Sequence, residues 1–146
     1  MSLRESISQE IVKTLQNMTD PQPILVNREP FEPEKLAITQ FPALLIQYLE
    51  EERETITMSI PGVGRRMGTM NYNIRGFVRG TELDLQRNNL IEAIEEALDA
   101  DRYLGLRTQG VIDSQIIHIE VIQRLAPLAE ISVTFQVRYN YERGSS

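Results

Sequence analysis

The chain has 146 residues, no cysteine, 25% charged residues and a formal net charge of -6 at pH 7. A chain of this length can bury a core of its own, so we expect a single domain over residues 1–146. The lack of cysteine excludes disulfides, thiolate metal sites and a cysteine nucleophile, and the net acidity disfavours a general nucleic-acid binder.

The N-terminal part predicts one amphipathic helix and one short strand. Apolar residues recur at helical spacing over residues 3–18, and Ser2 and Glu5 have the spacing of a capping box. Two prolines interrupt residues 24–36. Because proline cannot donate to a sheet ladder, we expect one short strand and a loop there.

The next part predicts a long antiparallel hairpin. Residues 43–50 have the apolar density of a buried strand, and a more polar strand continues beyond a break predicted near Glu51. Residues 67–79 alternate apolar and polar side chains, which is typical of a half-buried strand. Glycines and a proline separate the two segments, so we expect residues 54–79 to form a projecting hairpin.

A second helix is predicted from Thr81, which can cap it, to about Ala100. One side of this helix carries an apolar stripe that suits packing on a sheet. The opposite side carries the acidic residues Glu92, Glu95, Glu96 and Asp99.

Two strands follow the second helix. Residues 115–124 predict a strand in which His118 shares a face with Ile116 and Glu120, and we expect His118 to be a structural or surface residue. Residues 130–142 alternate strictly between apolar and polar side chains. The short connection between the two strands favours antiparallel neighbours.

The order of these elements predicts an α+β fold. An antiparallel or mixed β-sheet with two main helices packed on one face, and with the long hairpin projecting from it, is the simplest arrangement that buries every apolar stripe.

Positive charge is concentrated in residues 61–80, which contain four arginines and no acidic residue, whereas the parts before and after each have five more acidic than basic residues. Arginine favours planar, bidentate contacts, such as those of protein interfaces and phosphate sites. The glycine-rich part of this segment lacks the spacing of a phosphate loop. A contact with another protein, a solvated loop and a nucleic-acid contact all stay open. The four arginines are Arg65, Arg66, Arg75 and Arg79.

The sequence favours no enzymatic mechanism. It has one histidine and no cysteine, its carboxylates lie in polar surroundings that would not raise a pKa for acid or base catalysis, and no serine lies in a nucleophile elbow. We therefore expect a protein that is not an enzyme and that uses no metal or cofactor. Among metal sites, only a carboxylate site for a hard cation stays open.

A resemblance to a known family rests on five segments. They are the N-terminal helix, FPALLIQYLEEE, the hairpin that ends in NYNIRGFVRG, the helix LDLQRNNLIEAIEEALDADRYLG, and the closing AEISVTFQVRYNYERG. In this order they resemble the tail terminator (tail completion) proteins of long-tailed bacteriophages. The resemblance covers nearly the whole chain in the order and length of its elements.

The resemblance implies a structural virion protein at the junction of tail and neck, assembled in the host cytoplasm. It implies a homohexameric ring that caps the tail tube and stops polymerisation of the tail tube protein. The ring would also provide a docking surface for the head-tail connector or neck protein. It further implies contact with the sheath protein where the tail is contractile, and DNA that only passes through the lumen. The lack of any apolar run of roughly 18 residues also predicts no membrane span.

The resemblance places the hairpin arms, with Arg65, Arg66, Arg75 and Arg79, against a neighbouring subunit or the tube. The polar face of the last strand, with Gln136 and Arg138, or the acids of the second helix, would supply the other contacts or border the lumen. Two alternatives stay open, which are another phage neck or head-tail adaptor protein and a nucleic-acid-binding module that uses the hairpin arginines.

Overall fold

Two α-helices and five β-strands make up the computed structural model, which describes residues 2–54 and 65–142. The helices are α1 (Leu3–Gln16) and α2 (Leu83–Asp99). The strands are β1 (Leu25–Asn27), β2 (Ala43–Glu54), β3 (Arg65–Arg79), β4 (Val111–Ile122) and β5 (Leu128–Glu142).

The five strands form one mixed sheet in the order β1-β2-β3-β5-β4. β1 runs parallel to β2, and all other neighbours are antiparallel. β3 is the central strand, and β5 pairs with it along its whole length. Antiparallel pairing of β4 and β5, predicted from their short connection, is confirmed.

Both helices pack on one side of the sheet, which we call the helix face; the other side is the outer face. The alternation of β3 and β5 sends their apolar side chains to the helix face, as predicted. The predicted α+β class is confirmed. Buried residues of this core include Ile7, Ile11, Leu15, Leu90, Ile94, Leu98, Tyr72, Ile74, Val133 and Phe135.

α1 begins at the predicted cap, but only one half of the predicted capping box forms, because the Glu5 side chain binds Arg28. The Oγ atom of Ser2 accepts a hydrogen bond from the backbone N–H of Glu5 at 3.1 Å. One turn later, Ser8 is buried, and its hydroxyl lies 2.7 Å from that of Tyr72 on β3. This hydrogen bond satisfies two polar groups inside the core.

The predicted cap of the second helix is wrong. α2 begins at Leu83 after Glu82, whose side chain makes no capping hydrogen bond. Thr81 therefore lies outside the helix. The side-chain amide of Gln86 instead donates to the backbone oxygen of Arg79 at 3.3 Å, which ties the first turn of α2 to the end of β3.

The predicted break near Glu51 is also wrong, because β2 is continuous to Glu54. A β-bulge replaces the break, where the register with β3 shifts between Tyr48 and Glu50. The extra residue is Leu49. Such an insertion re-aims the side chains that follow it.

A second bulge lies in β4, where the register with β5 shifts between Ile116 and His118. Ile116 pairs with Phe135 and faces the helices, whereas His118 pairs with Thr134 and lies on the outer face with Glu120. The prediction that His118 shares a face with Ile116 is therefore wrong, because one inserted residue reverses the alternation.

β2 and β3 pair antiparallel from Ala43 and Phe77 to Glu54 and Met67. Residues 55–64, which connect these strands and include part of the predicted hairpin, lie outside the described residues. The projecting hairpin therefore stays a prediction.

Gly76 tests how tightly α2 packs on the sheet. A Cβ atom at this position would come within 2.8 Å of Leu90 Cδ2 and 2.9 Å of Ile131 Cγ1. Because both neighbours are core side chains, we expect Gly76→Ala to lower the free energy of unfolding by about 1–3 kcal/mol, the usual cost of overpacking. Urea denaturation of both proteins measures the difference.

Gly80→Ala is the matched control. Its Cβ atom would meet only the amide end of the Gln86 side chain, which can rotate away. We expect Gly80→Ala to lower the free energy of unfolding by less than Gly76→Ala does. Equal losses in the two variants would contradict tight packing of α2 at Gly76.

Candidate functional site

The four arginines predicted as interface residues are spread along β3. Arg65 and Arg66 pair with Glu142 and Tyr141 of β5 at one end, and Arg79 pairs with Leu128 at the other. At about 3.3 Å per residue, Arg65 and Arg79 are roughly 45 Å apart. The structure therefore brings Arg65 and Arg66 together but separates them from the other two.

Arg75 lies in an intramolecular ion-pair cluster on the outer face. Its Nε atom donates to Glu130 at 2.8 Å, and Nε of Arg124 donates to the other oxygen of the same carboxylate at 2.6 Å. The Glu130 side chain is only 2% exposed. Because a buried carboxylate needs such partners, Arg75 helps to hold Glu130 in the fold.

The same cluster joins distant parts of the chain. Arg75 and Arg124 stack on the ring of Phe77, at 5.2 and 5.4 Å from its centre, and Arg124 also binds Glu34. The loop that carries Glu34 is thereby fixed to the outer face. Near this loop, Phe31, Leu36 and Phe41 cover the apolar residues Ala43, Leu45 and Phe77.

The rest of the outer face carries a polar row across four strands. Glu50, Asn71, Gln136 and Gln115 are neighbours in the strand registers. Their side chains make three hydrogen bonds of 3.2, 3.4 and 3.5 Å. Gln136, a predicted interface residue, therefore lies inside an ordered polar surface.

The neighbouring row has opposite charges near its two ends. Glu52 of β2, Thr69 of β3, Arg138 of β5 and Asp113 of β4 follow one another across the sheet. Glu52 and Arg138 are exposed. The outer face is thus acidic along the edge formed by β2 and has an exposed arginine, with Asp113 opposite it, towards the edge formed by β4.

Glu51 forms a second ion-pair cluster, on the helix face. Its side chain is 8% exposed and accepts from Nε of Arg4 at 2.8 Å and Nε of Arg53 at 2.9 Å. Tyr48 and Tyr139 also donate to it. Burial opposes ionisation of the carboxylate, but the hydrogen bonds from Arg4, Tyr139 and Arg53 outweigh burial and lower its pKa to about 2.

Gly68 makes the Glu51 cluster possible. A Cβ atom at this position would come within 2.3 Å of the Tyr139 ring, which lies across β3 there. Tyr139 can therefore reach Glu51 of β2 from β5. The cluster links α1, β2 and β5 at the end of the sheet that leads to residues 55–64.

Both edges of the sheet carry exposed apolar side chains. On β4, Ile117, Ile119 and Val121 are 46, 39 and 45% exposed. At the other edge, Ile24 and Leu49 are 59 and 53% exposed. The sequence predicted a strand over residues 115–124, but its pattern alone could not show that the helices leave this edge uncovered.

The helix layer has an acidic cleft of about 510 Å³ between the C-terminal ends of α1 and α2. Of the acidic residues predicted for one side of α2, only Glu96 lines this cleft. The acidic residues that line the cleft are Glu10, Asp20, Glu96 and Asp101.

Two further findings concern the described part of the chain, residues 2–54 and 65–142. No group of three or more His, Asp or Glu side chains there is arranged to hold a metal ion. No helix there combines the length and apolar character that a bilayer crossing demands.

A similar fold occurs in a solved structure of the virion of a native gene transfer agent particle. The match has a TM-score of 0.51 and 10% sequence identity, and it covers 96% of this chain and 96% of the virion chain. At this identity the likeness shows a shared fold. No protein-family model and no curated protein matches the chain.

The low pKa of Glu51 predicts a pH dependence of stability. Because the pKa is lowered from 4.5 to about 2 on folding, the stabilisation is fully present above about pH 5 and is lost as the pH falls towards 2. We expect Glu51→Gln to remove up to about 3 kcal/mol at pH 7. Urea unfolding of wild type and variant at several pH values should show a difference in the free energy of unfolding that becomes smaller as the pH falls from 5 to 2.

Glu50→Gln is the control for this experiment, because Glu50 is the adjacent carboxylate but is exposed on the outer face. We expect a smaller loss of stability for Glu50→Gln than for Glu51→Gln at pH 7. If the difference in the free energy of unfolding between wild type and Glu51→Gln stays constant from pH 5 to pH 2, the lowered pKa of Glu51 is contradicted.

Proposed function

We propose that the chain is a structural virion protein and, within that class, a tail terminator. Its subunits form a ring that caps the tail tube, stops polymerisation of the tube and offers a surface to the head-tail connector. The observation that carries the proposal is the likeness of nearly the whole fold to a chain of a gene transfer agent virion. The ordered resemblance to tail terminator proteins supports the narrower role.

The surfaces of the molecule suit repeated assembly. The sheet has two different edges, both with exposed apolar side chains, and its outer face has separated acidic and basic groups. A joint between two different surfaces of identical subunits is head-to-tail, and it closes into a ring when the rotation between subunits closes. The two sides of such a ring differ, so one side can bind the tube while the other binds the neck.

Electrostatic complementarity fixes the register of such joints more than it raises their affinity. In the proposed ring, Arg65, Arg66 and Arg138 face acidic surfaces of a neighbouring subunit or of the tube. Arg75 contributes indirectly, because it holds the outer face together through Glu130. The role is mechanical, and we propose that the protein is not an enzyme and that DNA only passes through the lumen.

Particles assembled without this protein distinguish a terminator from another neck protein. A terminator determines where the tube stops, so its loss should give tails of uncontrolled length, most of them too long, in electron micrographs. Restoring the wild-type gene should restore the normal length. Tails of normal length without heads would contradict the terminator role and favour an adaptor, and unchanged particles would contradict a virion role altogether.

The double substitution Arg65→Glu and Arg66→Glu tests the role of the arginines at the start of β3. We expect it to raise the protein concentration needed for ring assembly at least tenfold, because repulsion replaces attraction between these arginines and an acidic surface of the neighbouring subunit. Sedimentation velocity at low and moderate salt measures the assembly.

Lys13→Glu with Lys35→Glu is the matched control, since it makes the same change in net charge at two exposed positions outside the sheet. We expect this control to assemble like the wild type. A protein that is monomeric with or without Arg65 and Arg66, and that binds DNA with an affinity that falls steeply with salt, would favour the nucleic-acid alternative.

A further inference from the structure

β4 is an edge strand with an uncovered apolar surface. Ile119 and Val121 pair with Val133 and Ile131 of β5, so they lie on the helix face. They are nevertheless 39 and 45% exposed. An exposed apolar edge strand is a template for pairing with another chain, and monomeric proteins usually protect such edges.

β1 forms the opposite edge and is only three residues long. Val26 of β1 pairs with Leu44 and packs against the core on the helix face. Ile24, immediately before β1, is 59% exposed. This edge therefore also combines a strand at the border of the sheet with an exposed apolar side chain.

The two edges share a row of residues across the sheet, and their strands run in opposite directions. Val26, Leu44, Gly76, Ile131 and Val121 form one row across the five strands. β1 runs parallel to β2, and the three antiparallel pairings that follow make β4 run opposite to β1. Two copies placed side by side in the same orientation therefore bring β4 of one copy antiparallel to β1 of the other.

Charged side chains also lie near this row. Glu120 of β4 is exposed on the outer face, whereas Arg28, which follows β1, binds Glu5 of α1 at 2.7 Å. On the outer face, Arg138 lies towards β4, whereas Glu50 and Glu52 line β2 beyond the end of β1. Asp113, opposite Arg138, offsets part of the positive charge.

We infer that the β4 edge binds the β1 edge of a second copy of this chain, so that the sheet continues from one subunit to the next. With the rows level, Val121 lies opposite Val26 of the neighbour, whereas a shift of two residues places Ile119 opposite Val26 and Val121 opposite Ile24. In either register a short antiparallel ladder joins the two backbones. The inference rests on the proposed function, because it supplies the joint between the subunits of the ring.

Paired cysteines test this joint directly, because the chain has no cysteine of its own. The first variant carries Val26→Cys and Val121→Cys, and a second variant carries Val26→Cys and Ile119→Cys to allow for a register two residues away on the same face. Within one copy, β1 and β4 are about 19 Å apart across four strand spacings, whereas a disulfide needs Cβ atoms about 4 Å apart. Oxidation can therefore link only different copies.

We expect oxidation of one of these variants to give a ladder of cross-linked species that ends in a closed ring of about six copies. Each single-cysteine variant should give dimers at most. Val26→Cys with Glu92→Cys, on the exposed side of α2, should give no ladder. Denaturation curves verify that each variant is folded, and denaturing gels without reductant resolve the species.

The outcomes separate this inference from the proposed function. A ring in native mass spectrometry with no ladder from either variant would overturn the inference and leave the proposed function standing. A ladder from a protein whose loss leaves particles unchanged would support the joint but overturn the function. Folded variants that stay monomeric and do not cross-link would overturn the inference.

Discussion

The register of β3 is the constraint on which the rest of the structure depends. β3 pairs with β2 on one side and with β5 on the other, and its alternation sends Tyr72 and Ile74 to the helices and Asn71 and Asn73 to the outer face. Because side chains alternate with a period of two, a shift by one residue would bury the polar row and expose the core. One pairing thus determines both the core and the surface available to partners.

Two buried carboxylates fasten the sheet to its surroundings. Glu51 joins β2 to α1 and β5 on the helix face, and Glu130 holds Arg75 and Arg124 on the outer face. Removing one member of such a cluster leaves a buried charge without its partner, which is strongly destabilising. Several arginines therefore serve the fold, whereas Arg138 is exposed on the outer face.

Sequence periodicity was sufficient to predict the fold class because β3 and β5 are long and half-buried. The cap at Ser2 could also be predicted, because it depends only on residues close together in the sequence. It failed at Leu49 and Ile117, since a bulge inserts a residue with no distinct local pattern and reverses every side chain beyond it. The pairing of Arg75 with Glu130 joins residues 55 positions apart, so composition could mark the positive charge but not its partner. The sequence also could not predict that the β4 edge is exposed, because this exposure depends on where the helices pack on the sheet.

In the ring that we propose, subunits join through the two unlike edges of the sheet. Electron microscopy of the purified protein at high concentration tests this claim most directly. We expect closed rings of about six copies with a central opening and a sheet that continues from subunit to subunit. Particles that keep the size of a single copy at every concentration, or dimers joined through the helix layer, would contradict it.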